Sequence, residues 1–329
     1  MSPEKLLTDA FSRTINYVRV SVTDRCNLRC KYCVDGRFTF VPHGDIMRYE
    51  EILRFVRLVE SLGVSKVRLT GGEPLVRKGI TCLVHDIAAL PGIDDVSLTT
   101  NGVFLGEKMA DLKEAGLRRV NVSLDTLKKE RFAFITGVEA LHQVLDSLEK
   151  AMSAGLRPVK LNTVIIAGFN DDEILDFAEL ARRWDIQVRF IEFMPFGDTS
   201  LWDRSQIVTS DTIYGIINDR YPLSSSPERG RGPAQTFSME GGRGKIGFIS
   251  PLSSHLCATC NRIRLTARGT IRPCLFSEKE FDIKSLIRSG MSDEELRDRI
   301  RGIVREKPER RVETGVMKKC QRSMRDIGG

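Results

Sequence analysis

Two short stretches hold most of the residues able to do unusual chemistry. "DRCNLRCKYC" (24–33) sets Cys26, Cys30 and Cys33 at C-x3-C-x2-C, and "CATCNRIRLTARGTIRPC" (257–274) sets Cys257, Cys260 and Cys274 at C-x2-C-x13-C. Thiolates grouped in this way bind iron–sulfur clusters, zinc or copper(I). A closed structural zinc site takes four ligands, typically as paired knuckles, and an electron-transfer [4Fe–4S] cluster also takes four cysteines. Each stretch stops at three. A four-iron cluster on three cysteines leaves one iron for a ligand that is not protein, so the missing fourth cysteine is itself informative. A zinc knuckle is the alternative. In the second stretch its fourth ligand would be His255, too close for knuckle spacing, or the distant Cys320. Cys82 and Cys320 otherwise stand apart and read as bystanders.

Other groups add to these. In "TGGEPLVRKG" (70–79), Gly71 and Gly72 permit close backbone approach to a ligand, and Glu73 can accept from an ammonium group. Alone, Gly-Gly-Glu-Pro is an ordinary turn. Arg262 and Arg264 alternate on a β-run and so share a face, and paired guanidinium groups suit a polyphosphate. Without the cysteines beside them they would read as a solvated basic strand. Thr99, Ser123 and Met194 fall at strand ends, where Ser and Thr are more often caps than ligands.

These residues need a frame to bring them together. "SLGVSKVRLT" (61–70), "EAGLRRVNVSL" (114–124) and "SAGLRPVKLNTV" (153–164) repeat one plan of helix end, glycine and β-rich run. Helical periodicity precedes such glycines in Ile52, Phe55, Val56, Val59 and in Leu141, Val144, Leu145, Leu148, and recurs in Ile174, Phe177, Leu180, Trp184. Strands are expected at 17–22, 66–70, 95–99, 119–123, 159–165 and 187–192. Repeated βα units build a parallel sheet. A full eight-unit barrel takes ~250 residues; about six units fit here before the pattern fades near residue 200. The fold class expected is α/β, an incomplete (βα)6 triose-type barrel, with a doubly wound sheet second. "TDRCN", "TGGEP", "TNG", "SLDT" and "EFMP" all follow strands, where the sites of such folds lie.

Beyond residue 200 the texture changes. "SSSPERGRGPAQTF" (224–237) reads as an exposed loop. "KIGFIS", "RIRLTA" and "TIRPCLF" read as short antiparallel strands, and "SDEELRDRIRGIVREKP" as a helix opened by a Ser292–Glu295 capping box. The expected division is 10–225 for the barrel core and 226–329 for a C-terminal α+β extension carrying the second cysteine group and a mobile Gly-Gly tail. With 329 residues and 41% hydrophobic content the chain can bury a large core. The N-terminus lacks a signal-like apolar segment, no stretch reaches spanning length, and clustered cysteines suit a reducing compartment, so a cytoplasmic protein without membrane contact is expected. A net charge of +7 with no long basic run favours a small anion over nucleic acid.

C-x3-C-x2-C directly after a first strand, with "KYC" closing it and "TGGEP" after the second strand, resembles the radical S-adenosylmethionine (SAM) superfamily. Adding the second three-cysteine group, "RLTGGEPLVR", "TTNG", "NVSLDT", "IEFMPFGD", "CNRIRLTARG" and the terminal Gly-Gly, most of the chain resembles the GTP 3′,8-cyclase family, of the molybdenum cofactor biosynthesis protein A type. The resemblance implies two [4Fe–4S] clusters, the first on Cys26, Cys30 and Cys33 binding and cleaving SAM, the second on Cys257, Cys260 and Cys274 holding the guanine end. A 5′-deoxyadenosyl radical would abstract the ribose 3′ hydrogen of GTP, and the carbon radical would attack C8 to give 3′,8-cyclo-7,8-dihydro-GTP after reduction. SAM contacts would come from Tyr32, Gly72, Glu73, Ser123 and Met194. GTP contacts would come from Arg19, Arg68, Thr99, Lys160, Arg262, Ile263 and Arg264. Arg262 and Arg264, with Gly328 and Gly329 of a tail reaching the site, would serve catalysis. An electron donor of flavodoxin or ferredoxin type, a functional link to cyclic pyranopterin monophosphate synthase and a homodimer are also implied.

One departure stands out: Val34 and Asp35 follow the third cysteine, where the family commonly has Met-Pro. This leaves the ligands intact and bears on the loop over the first cluster. The competing readings are a peptide-maturing radical SAM enzyme, which usually carries a longer cysteine-rich tail, an iron–sulfur electron carrier, which needs four cysteines per cluster, and a zinc-stabilised nucleic-acid binder.

Overall fold

The computed structural model describes residues 6–33, 39–194, 196, 203–226, 232–254, 257–310 and 323–328. The sequence readings on Val34, Asp35, His255, Cys320 and Gly329 therefore lie outside the described residues.

The repeated units fold as strand–helix pairs. β1 (Tyr17–Ser21) leads to α1 (Tyr49–Ser61), β2 (Lys66–Thr70) to α2 (Ile80–Ala88), and β3 (Asp95–Thr100) to α3 (Leu105–Glu114). β4 (Arg119–Ser123) is followed by two helices, α4 (Lys129–Thr136) and α5 (Leu141–Ser153); β5 (Val159–Ile165), α6 (Ile174–Arg183) and β6 (Ile186–Glu192) complete the series. The glycines that end α1, α3 and α5, namely Gly63, Gly116 and Gly155, all have positive φ, so the repeated phrase is one structural unit used three times. Strands β1 to β6 pair in parallel and in sequence order. An unreversed order is that of a barrel wall; the doubly wound alternative would reverse at a switch point.

The rest of the chain extends this wall. After α7 (Ser210–Arg220) come β7 (Leu223–Ser225), β8 (Gln235–Met239), β9 (Lys245–Ile249), β10 (Arg262–Leu265), β11 (Thr270–Arg272) and β12 (Phe281–Asp282), then α8 (Lys284–Arg288) and α9 (Asp293–Arg305). One twelve-stranded sheet results, in the order β12-β11-β10-β1-β2-β3-β4-β5-β6-β9-β8-β7. "KIGFIS" and "RIRLTA" are antiparallel on one side only: β9 pairs antiparallel with β8 and parallel with β6, and β10 antiparallel with β11 and parallel with β1. β11 is antiparallel to β10, as read. Alternating apolar residues announce a strand but not its partner, and here the open edges β1 and β6 supply the partners. β8 also begins inside the segment read as an exposed loop.

The sheet has two chemically different faces. Val18, Val20, Val67, Leu69, Val120 and Val122 point to the helices and join Phe55, Val56, Leu83, Val144 and Phe177 in one buried apolar core. The intervening positions, Arg19, Arg68, Ser97, Asn121, Asn162, Arg189 and Arg264, are polar and occupy the opposite face. A closed barrel fills its interior with apolar side chains; this open wall keeps a polar one. The Ser292–Glu295 capping box forms at the start of α9.

Candidate active site

A cavity of about 370 Å³ opens on the polar face and runs from the N-terminal end of β10 to the C-terminal ends of the parallel strands. All six clustered cysteines line it. Cys26 and Cys260, 234 positions apart along the chain, share the cavity because β10 pairs in parallel with β1: Cys257 and Cys260 come just ahead of β10, the Cys26 loop comes just after β1, and the polar face between these two ends joins them.

The loop after β1 is pinned on both sides. The amides of Arg29 and Lys31 donate to Thr136 and Ile135 at the end of α4, at 2.8 and 2.9 Å. The Gly72 and Glu73 amides donate to the Thr23 and Arg25 carbonyls, both at 2.7 Å, and a Cβ on Gly72 would lie 2.3 Å from the Arg25 oxygen. Glycine is thus required there by contact. Burial pushes up the Cys26, Cys30 and Cys33 thiols, the last to about 11, with the Arg325 guanidinium opposing it at each. Such thiols ionise only when a bound metal group compensates the charge, as cluster ligands do. Among the described residues, no three His, Cys, Asp or Glu side chains converge tightly enough for a single metal ion.

The second triad is held from outside the barrel units. Arg13 donates to the Cys257 carbonyl at 2.7 Å, and Lys307 donates from Nζ to the carbonyls of Arg262 and Pro273 at 2.8 and 2.7 Å. Burial alone would raise the Cys260 thiol, but Arg262 and Lys307 outweigh it and bring it down to about 7. That thiol is predisposed to act as a thiolate ligand.

A row of cations crosses the cavity floor. Arg264, Arg19 and Arg68 are direct neighbours on β10, β1 and β2, and Arg189 of β6 lines the same cavity. Burial, with repulsion from neighbouring arginines, lowers Arg19 to about 10 and Arg189 to about 9, and lowers Arg264 as well. Lys160, also buried, is brought down to about 6 by burial and then by Arg189, Arg119 and Arg68. Crowded buried cations are costly until an anion joins them, so this floor is built for a polyanion.

Of the residues singled out from sequence, Arg19, Tyr32, Arg68, Gly72, Thr99, Ser123, Met194, Arg262 and Arg264 line the cavity with the cysteines. Three do not. Ile263 points into the apolar core, one position out of phase with its arginine neighbours, so only its backbone can serve a ligand. Lys160 lies beside the floor and not on the lining. Glu73 is committed elsewhere: it accepts from the Leu75 and Asn101 amides at 3.0 and 2.7 Å and from Thr100 Oγ1 at 2.8 Å, and burial raises it to about 7. It braces the loop after β3. The Tyr32 hydroxyl is likewise taken, donating to Asp125 at 2.5 Å. Gly328 is buried, at φ +77°, and its carbonyl accepts from Thr70 Oγ1 at 2.6 Å and from Arg264 at 3.3 Å. Gly328 thus packs against the ends of β1 and β2 beside the cavity.

Sequence reading missed Arg189, Asn121, Asn162, Asp125, Lys307 and Arg325. The strand residues among them sit at every second position of β4, β5 and β6, and that phase was the available signal. Lys307 and Arg325 have no such signal. Arg325, buried, donates to the Leu28 carbonyl at 2.9 Å, inside the first cysteine loop.

Comparison with known proteins agrees with this geometry. Residues 20–181 match the model of the radical SAM superfamily, and residues 186–312 match that of Molybdenum Cofactor Synthesis C. A GTP 3′,8-cyclase of Moorella thermoacetica is 50% identical over 328 residues, covering 98% of this chain and 100% of that one. A GTP 3′,8-cyclase of Syntrophomonas wolfei is 45% identical, with 98% and 100% covered. Among solved structures, Streptococcus suis SuiB bound to S-adenosylmethionine shares the fold at a TM-score of 0.63 and 14% identity, over 89% of this chain and 69% of that one.

Proposed function

The chain belongs to the GTP 3′,8-cyclase family of radical SAM enzymes in molybdenum cofactor biosynthesis, and from that membership we propose that it converts GTP to 3′,8-cyclo-7,8-dihydro-GTP with two [4Fe–4S] clusters bound in one chamber. The observation that carries the two-cluster reading is that both cysteine triads and the buried arginine row line a single cavity.

Cys26, Cys30 and Cys33 would hold the first cluster, and Cys257, Cys260 and Cys274 the second. With SAM bound, the first supplies one electron to split SAM and so the 5′-deoxyadenosyl radical that takes hydrogen from the ribose. The chain's own work is positioning. Arg264, Arg19, Arg68 and Arg189 receive the triphosphate, with Lys160 behind them and Thr99, Asn121 and Asn162 offering polar contacts. Gly72 lets SAM approach the backbone, flanked by Ser123, Met194 and the Tyr32 ring that Asp125 holds still. Arg262 faces both Cys260 and the cavity, so it is suited to orient the guanine end at the second cluster. Gly328 ties Arg264 to the end of β2 and so would help fix that arginine for catalysis. The domain reading follows: residues 10–225 serve SAM chemistry, and 226–329 complete the substrate side. A flavodoxin- or ferredoxin-type donor, a functional link to cyclic pyranopterin monophosphate synthase and a homodimer belong to the same proposal.

The test is anaerobic reconstitution with iron and sulfide, followed by dithionite and SAM, with 5′-deoxyadenosine yield compared for GTP, ATP and no nucleotide. GTP-dependent yield with consumption of GTP is expected. SAM cleavage indifferent to nucleotide would defeat the GTP assignment. A C257A/C260A/C274A variant is expected to retain about half the iron, since each [4Fe–4S] cluster has one cysteine set; full iron retention would remove the second cluster.

A further inference from the structure

The first cysteine loop has a second face. Its cysteines line the cavity, whereas Arg25, Arg29 and Lys31, which alternate with them, are exposed and do not. Two exposed aromatic rings lie under these cations: Phe40 beneath Arg25 at 5.4 Å and Phe134 beneath Lys31 at 3.4 Å. Val138, also exposed, follows Thr136 and Gly137, the residues against which Arg29 rests. Half of the exposed large apolar side chains among the described residues therefore gather around one short basic loop. Exposed rings paired with cations are the composition of an interface core rather than of an ordinary solvated face.

A groove of about 810 Å³ continues from Arg25, lined by Arg48, Arg77, Lys78 and Arg288 with Glu50. Arg77 is engaged with the Val22 and Met47 carbonyls and lies over the Tyr49 ring at 4.1 Å, while Arg288 bridges to Glu51 at 2.7 Å. Arg48 and Lys78 are exposed. Between groove and cavity stands the Thr23–Arg25 backbone pressed on Gly71 and Gly72, with no room for a Cβ on either glycine. Arg25, exposed on one side, is the chain neighbour of Cys26, which lines the other.

We propose that this face docks an acidic, low-potential one-electron carrier protein, and that the electron for SAM cleavage enters through the back of the cysteine loop. The proposal rests on the radical SAM reading above. At this step the carrier is oxidised by one electron, the first cluster is reduced by one, and no covalent bond changes. Tunnelling decays steeply with distance, and the substrate side of the chamber is filled by SAM and nucleotide, so the thin wall at Arg25 offers the shorter route. The cations steer an acidic carrier, and the two rings give it apolar surface to bury.

The experiment uses the holoenzyme with its clusters oxidised and no SAM or nucleotide present. Bleaching of cluster absorbance is followed by stopped flow with reduced flavodoxin and, separately, with dithionite. R29E/K31E and K78E should slow reduction by flavodoxin about tenfold or more and flatten its salt dependence. R29Q/K31Q should give a smaller loss, and iron content and the dithionite rate should be unchanged in all. Flavodoxin rates equal in wild type and variants would overturn the proposal, as would equal slowing with both reductants. Tight binding of an oligonucleotide that flavodoxin does not displace would assign the face to nucleic acid instead. Dithionite-driven, GTP-dependent SAM cleavage in the same preparation separates failure of this docking face from failure of the cyclase reading.

Discussion

At the scale of single residues, the site is organised by cations kept in poor surroundings. Lys160 is the extreme case, held at about 6 by burial and by Arg189, Arg119 and Arg68. Its sign is that of a lowered base. The unfolded chain holds the proton up to about 10.5 and the folded chain releases it near 6, so the lysine costs stability below 6 and the cost fades as pH rises between the two values. A triphosphate on the arginine row reverses the preference. GTP binding near pH 7.5 should therefore take up as much as about one proton, measurable by calorimetry in buffers of different ionisation enthalpy. The uptake should vanish in K160M; unchanged uptake in that variant would detach Lys160 from the nucleotide. The cysteines and the Arg262–Arg264 pair were legible because their types are rare and their spacing short. Arg189 was not, because one arginine in a strand looks like any surface charge until its face is known. Glu73 shows what spacing leaves out: its three hydrogen bonds make it a brace for the loop after β3, a role that no local pattern announces.

At the scale of elements, strands and helices were readable because the 2.0 and 3.6 periodicities are local properties of the chain. The six expected core strands agree with β1 to β6 to within a residue at either end. What joins elements is less local. The loop after β2 is held to the loop after β1 by amides of Gly72 and Glu73, with Gly72 in backbone contact on its open side. G72A forces the two loops apart, since a carbonyl cannot yield as a flexible side chain would. It should destabilise the fold by about 1–3 kcal/mol and abolish SAM cleavage while leaving the second cluster in place. Iron content, denaturant unfolding and 5′-deoxyadenosine yield measure the three effects together. Full SAM cleavage in G72A would mean that this contact does not position the first loop. Gly328 is a related case at lower cost: its positive φ, and a Cβ only 2.8 Å from Ser21, leave glycine the fitting residue there.

At the scale of the whole molecule, the C-terminal segments are part of the barrel wall. β9 covers the edge of β6 from Gln187 to Ile191, and β10 covers β1 from Tyr17 to Val20. A chain ending at Glu240 would expose both parallel edges and the apolar face behind them, and should aggregate; a soluble, monomeric fragment by analytical ultracentrifugation would contradict this. By itself the sequence determined the βα repeats, the two cysteine triads and the loops at the strand ends, because each is written in neighbouring residues. Only the tertiary structure decided that both triads share one chamber, that the arginines of β10, β1 and β2 form a row, and that Arg325 returns to the first loop. Those facts depend on which strand edge each distant segment covers. Pairing across a sheet edge is set by the whole apolar core and by register, and no local pattern of residues encodes it.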